Sequence, residues 1–216
     1  MFEIIPSPGT QDKTFEEIEK KLLAVKGIAR TIHIDIIDGY FAANKTFSNP
    51  APFAKYSKEF NLEIHLMVHD PIKHLKPWAD IGAGRFIGQI EKMPDQVEFV
   101  ATAQRLGEVA LGIDLDTPLN HLKVPLIDLD AITIMAIAAG FSGQSFNEHA
   151  MEKVKKIAGQ SEIPIEVDGG ISDETIRIAK DAGATRFVTS SFLFDKGESS
   201  KNQHGILVKE LNLKMV

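Results

Sequence analysis

Cysteine is absent from the sequence, and tryptophan occurs only once. Without cysteine there can be no disulfide, no thiolate metal ligand and no cysteine nucleophile. Such a chain suits a reducing compartment, so we expect a cytoplasmic location. No apolar run approaches the roughly 18 residues of a membrane span, and the first residues lack a basic segment followed by an apolar one. We therefore expect neither a membrane span nor a signal peptide.

Positive charge is also scarce, because 24 lysine and arginine residues face 30 aspartate and glutamate residues, giving a net charge of −6. This balance argues against nucleic acid as the main partner. An anionic ligand would have to be bound by local backbone dipoles or by a metal ion. The apolar content of 44% in 216 residues is sufficient for one sizeable core.

Short apolar runs alternate with amphipathic stretches along the whole chain. The pattern predicts strands at 2–6, 30–37, 62–68, 85–90, 108–114, 131–137, 163–168 and 186–190. It predicts helices after a capping box at 14–17 and at 52–60, 71–81, 94–106, 117–122, 146–158, 173–182 and from about 204. The polar stretch 197–205 is expected to be a loop.

About eight βα units of this length favour a parallel sheet closed into a (β/α)₈ TIM barrel, a single domain over residues 1–216. The alternative is a doubly wound open sheet, which is less favoured because no GxGxxG motif follows the first strand.

The stretch TIHIDIIDGYF at 31–41 carries ionisable side chains in a strand-like run of β-branched residues. His33 and Asp35 are two residues apart, so they point to the same face of the strand. Burying either group without a partner costs several kcal/mol, roughly. The pair therefore predicts a functional site, whereas Asp38 in the following Asp-Gly turn is expected to be structural.

Four ionisable side chains fall at the carboxyl ends of predicted strands, where TIM barrels carry their chemistry. They are His33 and Asp35 on the second strand, His65 on the third and Asp168 on the seventh. Two imidazoles and two carboxylates predict a site for one divalent cation such as Zn²⁺, Fe²⁺, Mn²⁺ or Co²⁺. The other histidines are expected to be exposed: His69, His74, His121, His149 and His204.

Glycine- and serine-rich turns follow three neighbouring strands of the predicted barrel. Gly169 and Gly170 follow the seventh strand, TSS at 189–191 ends the eighth, and AAGFSGQSF at 138–146 follows the sixth. Loops after the last two strands of this fold commonly bind phosphate through backbone N–H groups. We expect an anionic ligand to bind there.

These segments together resemble the ribulose-phosphate 3-epimerase family. The matching segments are IHIDIIDG at 32–39, EIHLMV at 63–68, GFSGQSF at 140–146 and EVDGGI at 166–171, and the resemblance extends from Pro6-Ser7 to Ser190-Ser191. It implies a barrel of the ribulose-phosphate-binding type. It also implies an enzyme that interconverts D-ribulose 5-phosphate and D-xylulose 5-phosphate at C3 through an enediolate.

The resemblance also implies residue roles. His33, Asp35, His65 and Asp168 would hold the metal, and Asp35 and Asp168 would be the acid–base pair. The residues expected to bind the sugar phosphate are Ser7, His33, His65, Met67, Met135, Gly140, Phe141, Ser142, Gly143, Gly169, Gly170, Ile171, Ser190 and Ser191. Core packing is an equally good interpretation of the two methionines.

Several residues depart from the family's pattern. Ile37 stands in place of a methionine and Gln89 in place of a histidine. Ala138-Ala139 replaces a segment that ends in proline, Ser142 and Ser190 replace glycines, and PGTQD follows Ser7 where the family has ILSAD. None of these departures affects the four predicted metal ligands.

Three alternatives remain open at this point. The first is 3-epimerisation of a six-carbon substrate such as allulose 6-phosphate, since the departures near 138–144 could change substrate length. The second is a catalytically inert phosphosugar-binding barrel that serves as a sensor or scaffold. The third is a barrel of the hexulose-phosphate synthase or decarboxylase type, which is disfavoured because no lysine is predicted at a strand end. A homo-oligomer is also possible.

Overall fold

The computed structural model describes residues 2–212, in which eight parallel strands form one sheet with the order β1-β8-β7-β6-β5-β4-β3-β2. The strands are β1 Glu3–Pro6, β2 Thr31–Ile37, β3 Asn61–Met67, β4 Arg85–Gln89, β5 Glu108–Ile113, β6 Ala131–Met135, β7 Ile165–Asp168 and β8 Arg186–Thr189. The two end strands β1 and β2 also contact each other, so the sheet is a nearly closed barrel. The predicted (β/α)₈ fold is confirmed.

Helices lie between the strands and after the last one. They are α1 Phe15–Val25, α2 Ile72–Asp80, α3 Gln96–Ala103, α4 Ala150–Ala158, α5 Thr175–Ala182, α6 Ser191–Phe194 and α7 Ser200–Asn212. Short 3₁₀ helices occupy Ala51–Tyr56, Leu119–His121 and Leu126–Asp128. The capping box predicted for α1 is present, because the Thr14 side chain accepts from the Glu17 N–H and the Glu17 carboxylate accepts from the Thr14 N–H.

Alternate residues of each strand point to opposite faces, and this alternation gives the barrel two different surfaces. Ile32, Ile34 and Ile36 of β2 belong to the large apolar core that also contains Ile18 and Leu22 of α1. The residues between them point into the barrel, where His33 and Asp35 lie. The outer face of the sheet is therefore apolar, and the inner face carries the ionisable groups.

An ionic cluster fills part of the barrel interior; we define it as Glu3, Glu63, Arg85, Glu166 and Arg186. Arg186 donates to Glu63 at 2.5 Å, to Glu166 at 3.0 Å and to Glu3. Arg85 donates to Glu63 at 2.7 Å. Because these side chains come from β1, β3, β4, β7 and β8, the cluster ties together strands from opposite sides of the barrel.

Several predicted boundaries need correction. The predicted helix at 52–60 is a 3₁₀ helix that ends at Tyr56, and the one at 117–122 is reduced to Leu119–His121. Helix α4 begins at Ala150 rather than at 146. The expected loop at 197–205 is wrong, because α7 already begins at Ser200, and the Ser199 hydroxyl accepts a hydrogen bond from the Asn202 N–H at its start. The short helices at 126–128 and 191–194 were not predicted.

None of the helices within residues 2–212 combines the length and the apolar character needed to cross a bilayer.

Candidate active site

The four predicted ligands meet at the carboxyl end of the barrel. His33 Nε2 lies 3.3 Å from Asp35 Oδ1, 3.3 Å from His65 Nδ1 and 3.7 Å from Asp168 Oδ2. His65 Nδ1 lies 3.2 Å from Asp35 Oδ1 and 3.6 Å from Asp168 Oδ2. We refer to these four residues as the His/Asp quartet. Side chains from strands β2, β3 and β7 thus converge on one point.

The quartet has the donor set and the spacing of a metal site. Bonds of about 2.0–2.1 Å to a tetrahedral ion separate neighbouring ligand atoms by roughly 3.3–3.4 Å. The five distances given above span 3.2 to 3.7 Å, close to that value. Two nitrogen and two oxygen donors suit Zn²⁺ and other first-row divalent ions. The quartet is therefore a cluster that could bind a metal ion.

The remaining nitrogen of each imidazole is held by an acceptor. His33 Nδ1 lies 2.9 Å from Glu63 Oε1, and His65 Nε2 lies 2.8 Å from Gln89 Oε1. An acceptor at that nitrogen places the ring proton there, which leaves the lone pair of the other nitrogen facing the quartet. Both rings are therefore set up to donate a lone pair to a cation.

The electrostatics of the quartet favour positive charge. Burial disfavours a charged His65, but the hydrogen-bonded carboxylates of Asp168 and Asp35 outweigh it and raise its pKa to about 9. Burial also disfavours a charged His33, but the neighbouring carboxylates, chiefly that of Asp35, raise its pKa well above its usual value. Burial raises the pKa of Asp35, but His33 and His65 lower it far more, to below its usual range. A cation held by the quartet would replace the proton on the one nitrogen of each imidazole that faces it, His33 Nε2 and His65 Nδ1.

Asp35 keeps one oxygen for another partner. Its Oδ2 accepts a hydrogen bond from Ser7 Oγ at 3.1 Å, and Ser7 Oγ accepts in turn from the Gly9 N–H at 3.1 Å. Thr46 Oγ1 donates to the Asp35 carbonyl at 2.8 Å and accepts from the Ile37 N–H at 2.9 Å. Contacts from the loops after β1 and β2 therefore fix both the backbone and the carboxylate of Asp35.

A cleft of about 480 Å³, its open mouth included, lies above the quartet. Two quartet members line it, namely Asp35 and Asp168. Of the other predicted substrate-binding residues, His33 and His65 lie beneath the cleft. The rest line it: Ser7, Met67, Met135, Gly140, Phe141, Ser142, Gly143, Gly169, Gly170, Ile171, Ser190 and Ser191. The structure thus brings together residues from across the chain, although their roles stay predictions.

The loop after β7 approaches its neighbours so closely that it needs glycine. Gly169 and Gly170 have φ values of 105° and 68°, in the left-handed region. A Cβ on Gly170 would lie 2.6 Å from the Phe146 backbone N, and one on Gly169 would lie 2.3 Å from Ile137 Cγ1. Both residues also line the cleft, where the absence of a side chain leaves their backbone accessible.

Departures from the family's pattern meet at the same end of the cleft. Thr10, from the PGTQD segment, accepts a hydrogen bond from the Ser142 N–H at 2.8 Å, and its own N–H donates to Ser142 Oγ at 3.2 Å. A Cβ on Gly9 would lie 2.6 Å from Ser190 Oγ. Residues 9–10 and the two serines therefore form one continuous part of the wall, which joins the loops after β1 and β6.

The ionic cluster below the quartet was not predicted as part of the site. His33, Glu63 and Glu166 form a second group with metal-ligand spacing, but Arg85 and Arg186 already supply positive charge to it. Its sequence signal was available, because Glu63 and Glu166 each precede a quartet member by two residues and so share its face. Burial raises the pKa of Glu166 to about 7, with Glu63 adding to the effect.

The other expectations have mixed outcomes. Asp38 has the structural role expected of it, since its carboxylate accepts from the Tyr40, Phe41 and His69 N–H groups. His69, His121 and His149 are exposed as predicted, whereas the prediction was wrong for His74 and His204, which are half-buried. Burial lowers the pKa of both.

The fold and the site together define a class of protein: a (β/α)₈ barrel with a His/Asp quartet beneath a cleft lined by glycine and serine loops. Comparison with known families places the chain more narrowly, because the ribulose-phosphate 3 epimerase family model matches residues 6–194. The chain belongs to the ribulose-phosphate 3-epimerase family, and the resemblance noted in the sequence is confirmed.

Individual relatives agree with this assignment. The chain is 31% identical to a ribulose-phosphate 3-epimerase from Chlamydia pneumoniae, with 96% of this chain and 94% of that protein covered. It is 30% identical to one from Bacillus subtilis, with 82% and 85% covered. Among solved structures, KGPDC from Streptococcus mutans superimposes with a TM-score of 0.75 at 12% identity over 98% of this chain and 97% of that one, which supports the fold alone.

Proposed function

We propose that this chain is a ribulose-phosphate 3-epimerase, which interconverts D-ribulose 5-phosphate and D-xylulose 5-phosphate by moving the proton on C3. The observation that carries the proposal is the pairing of two carboxylates, Asp35 and Asp168, at the floor of one cleft. Their strands lie on different sides of the barrel, with β1 and β8 between them. The family and the names of the relatives agree with this activity.

The chemistry requires two groups that exchange roles. A proton on the carbon next to a carbonyl leaves one face of C3 and returns to the other, through an enediolate. One carboxylate removes it as a base while the other, protonated, acts as the acid, and the roles reverse for the opposite direction. Ser7 would hold the Asp35 carboxylate in place through its hydrogen bond to Oδ2.

The quartet would hold one divalent cation through His33, Asp35, His65 and Asp168. When bound, such an ion supplies Lewis-acid stabilisation for negative charge that develops on substrate oxygens. The backbone of Gly169 and Gly170 and the hydroxyls of Ser190 and Ser191 would receive the phosphate at the other end of the cleft. Met67 and Met135 would form its apolar wall.

The activity is testable with purified protein and both sugar phosphates. When the reaction is run in ²H₂O, we expect deuterium to appear at C3 of each epimer, because the C3 proton exchanges with solvent through the carboxylates. Proton NMR measures both the conversion and the isotope content. Removal of bound metal with a chelator should abolish turnover, and adding Zn²⁺, Mn²⁺ or Co²⁺ should restore it. An unchanged rate after verified metal removal would contradict the metal requirement alone, and absence of conversion in the metal-loaded protein would contradict the proposed reaction.

Substitution of Gly170 by alanine is expected to raise KM for the sugar phosphate about tenfold or more, with a smaller effect on kcat. The new methyl group meets the Phe146 backbone at 2.6 Å, so the loop at the proposed phosphate site must shift. Steady-state kinetics with ribulose 5-phosphate measures the effect.

Gly27→Ala is the matched control for that prediction. Gly27 also has a positive φ of 79°, but a Cβ there would contact nothing within 4 Å. The control therefore carries similar backbone strain, about 1–2 kcal/mol, without touching the cleft. A KM raised equally in both variants would show that backbone strain, and not a shift of the phosphate loop, causes the increase.

Location and assembly belong to the same proposal. We propose that the enzyme works in the cytoplasm on a free sugar phosphate, without nucleic acid or membrane, and that it can form a homo-oligomer. A relative from Oryza sativa, 32% identical, is named as the cytoplasmic isoform of ribulose-phosphate 3-epimerase. Size-exclusion chromatography with light scattering tests the assembly.

A further inference from the structure

Gln89 has an unusual hydrogen-bonding state at the end of β4. Its side chain is fully buried, and its Oε1 lies 2.8 Å from His65 Nε2. Its Nε2 is also buried, yet it has no hydrogen-bond partner among residues 2–212. A buried N–H group without a partner costs about 1–3 kcal/mol. Something must therefore favour this orientation of the amide strongly enough to offset that cost.

The opposite orientation would pair the amide NH₂ group with His65 but would change the state of that imidazole. A rotated amide would donate from its NH₂ group to His65 Nε2, and the imidazole proton would then lie on Nδ1. That proton would face Asp35 Oδ1, 3.2 Å away, and would occupy the position where the quartet needs a lone pair. The observed orientation, with Oε1 toward His65, is the one in which Nδ1 is free to bind a cation.

The neighbouring strand leaves room for this amide. Gly112 of β5 pairs with Gln89, and a Cβ at position 112 would lie only 2.2 Å from Gln89 Oε1 and 3.3 Å from His65 Nε2. Gly112 is not among the glycines with positive φ, so its backbone conformation does not itself demand glycine. The absent side chain provides space for the contact between Gln89 and His65.

We propose that Gln89 is a positioning residue for the metal site: its carbonyl oxygen holds the Nε2–H of His65, keeps Nδ1 free for the divalent cation, and requires glycine at position 112. The inference rests on the proposed function, because it presupposes a divalent cation at the quartet. His33 receives the same support from the carboxylate of Glu63, which two arginines hold. The two imidazoles are thus supported by different chemistry, a neutral amide and a carboxylate.

The test is a titration of the metal-free protein with Co²⁺, buffered by a chelator and followed by the d–d absorption of the bound ion. Gln89→Leu removes the acceptor, and Gly112→Ala displaces it while every polar group remains. We expect both variants to bind Co²⁺ about 10–100-fold more weakly than the wild type, as is usual when the partner of a metal-bound histidine is lost. Gln89→Glu keeps an oxygen acceptor at the same place and should bind within a few-fold of the wild type.

Gln96→Leu is the matched control, because Gln96 is another buried glutamine, and it bonds the His121 carbonyl and the Lys123 N–H, neither of which belongs to the quartet. It should lose stability without a change in Co²⁺ affinity. Wild-type affinity in both Gln89→Leu and Gly112→Ala would overturn the positioning role, as would a Gln89→Glu variant as weak as Gln89→Leu. Absence of Co²⁺ binding by the wild type would instead overturn the metal site itself. If circular dichroism shows Gln89→Leu to be unfolded, Gly112→Ala and Gln89→Glu decide the result.

Discussion

Asp35→Asn and Asp168→Asn are each expected to reduce kcat by about 10²–10⁴-fold or more while the barrel stays folded. An amide cannot accept or return the C3 proton, and general acid–base catalysis contributes about that factor. Both residues are also in the His/Asp quartet, so the loss is expected to exceed the contribution of proton transfer alone. Steady-state kinetics in both directions, with circular dichroism for the fold, measures the effect.

Solvent exchange separates the proton role from the metal role. In ²H₂O, a variant that keeps one working carboxylate should wash out the C3 proton of one epimer only, and the other variant should do so for the other epimer. Asp95→Asn is the control, because Asp95 caps α3 through the Val97 and Glu98 N–H groups and does not line the cleft. Near-normal turnover in either quartet variant would contradict the assignment of the acid–base pair.

Arg186→Met is expected to lower the free energy of unfolding by about 3–5 kcal/mol. Its guanidinium bonds Glu3, Glu63 and Glu166, and the last two are fully or almost fully buried. Its removal leaves the carboxylates in the barrel interior without enough positive charge, since Arg85 is then the one arginine left in the ionic cluster. Urea denaturation followed by tryptophan fluorescence measures the loss.

A second substitution tests the cause of that loss. Adding Glu166→Gln to Arg186→Met removes a buried carboxyl group that has lost its arginine hydrogen-bond donor, so the double variant should recover part of the stability. Arg105→Met removes an arginine from the surface and should change the free energy of unfolding by less than about 0.5 kcal/mol. A loss below about 1 kcal/mol in Arg186→Met would contradict the view that the ionic cluster depends on this side chain.

Much of the candidate site could be predicted because strands have a two-residue period. In IHIDI the isoleucines and the ionisable residues alternate, so the sequence alone indicates which side chains share a face. Glu63 and Glu166 obey the same rule but were not predicted, because each lies two residues further from the carboxyl end of its strand than His65 or Asp168 does. Glycine pairs were informative only in combination, because Gly169 and Gly170 resemble an ordinary turn until their contacts with Ile137 and Phe146 are known.

Helix boundaries were predicted less well where polar residues dominate. The residues that open α7 are Ser200, Lys201 and Asn202, which have little apolar periodicity, so the segment read as a loop. Ser199 was the available signal, because serine is a favoured N-cap residue. The proposed role of Gln89 was not predictable from the sequence, since it depends on the distance to His65 on the adjacent strand and on the missing Cβ of Gly112.

The alternation along β2 also protects the barrel against misassembly. If this strand paired with β3 one residue out of register, His33 and Asp35 would face the helices, and Ile32 and Ile34 would face the charged interior. Each misplaced ion would cost several kcal/mol, roughly, so slipped arrangements are penalised far more than they would be in a uniformly apolar strand. The side chains proposed to perform the reaction therefore also help to specify the register of β2 against β3.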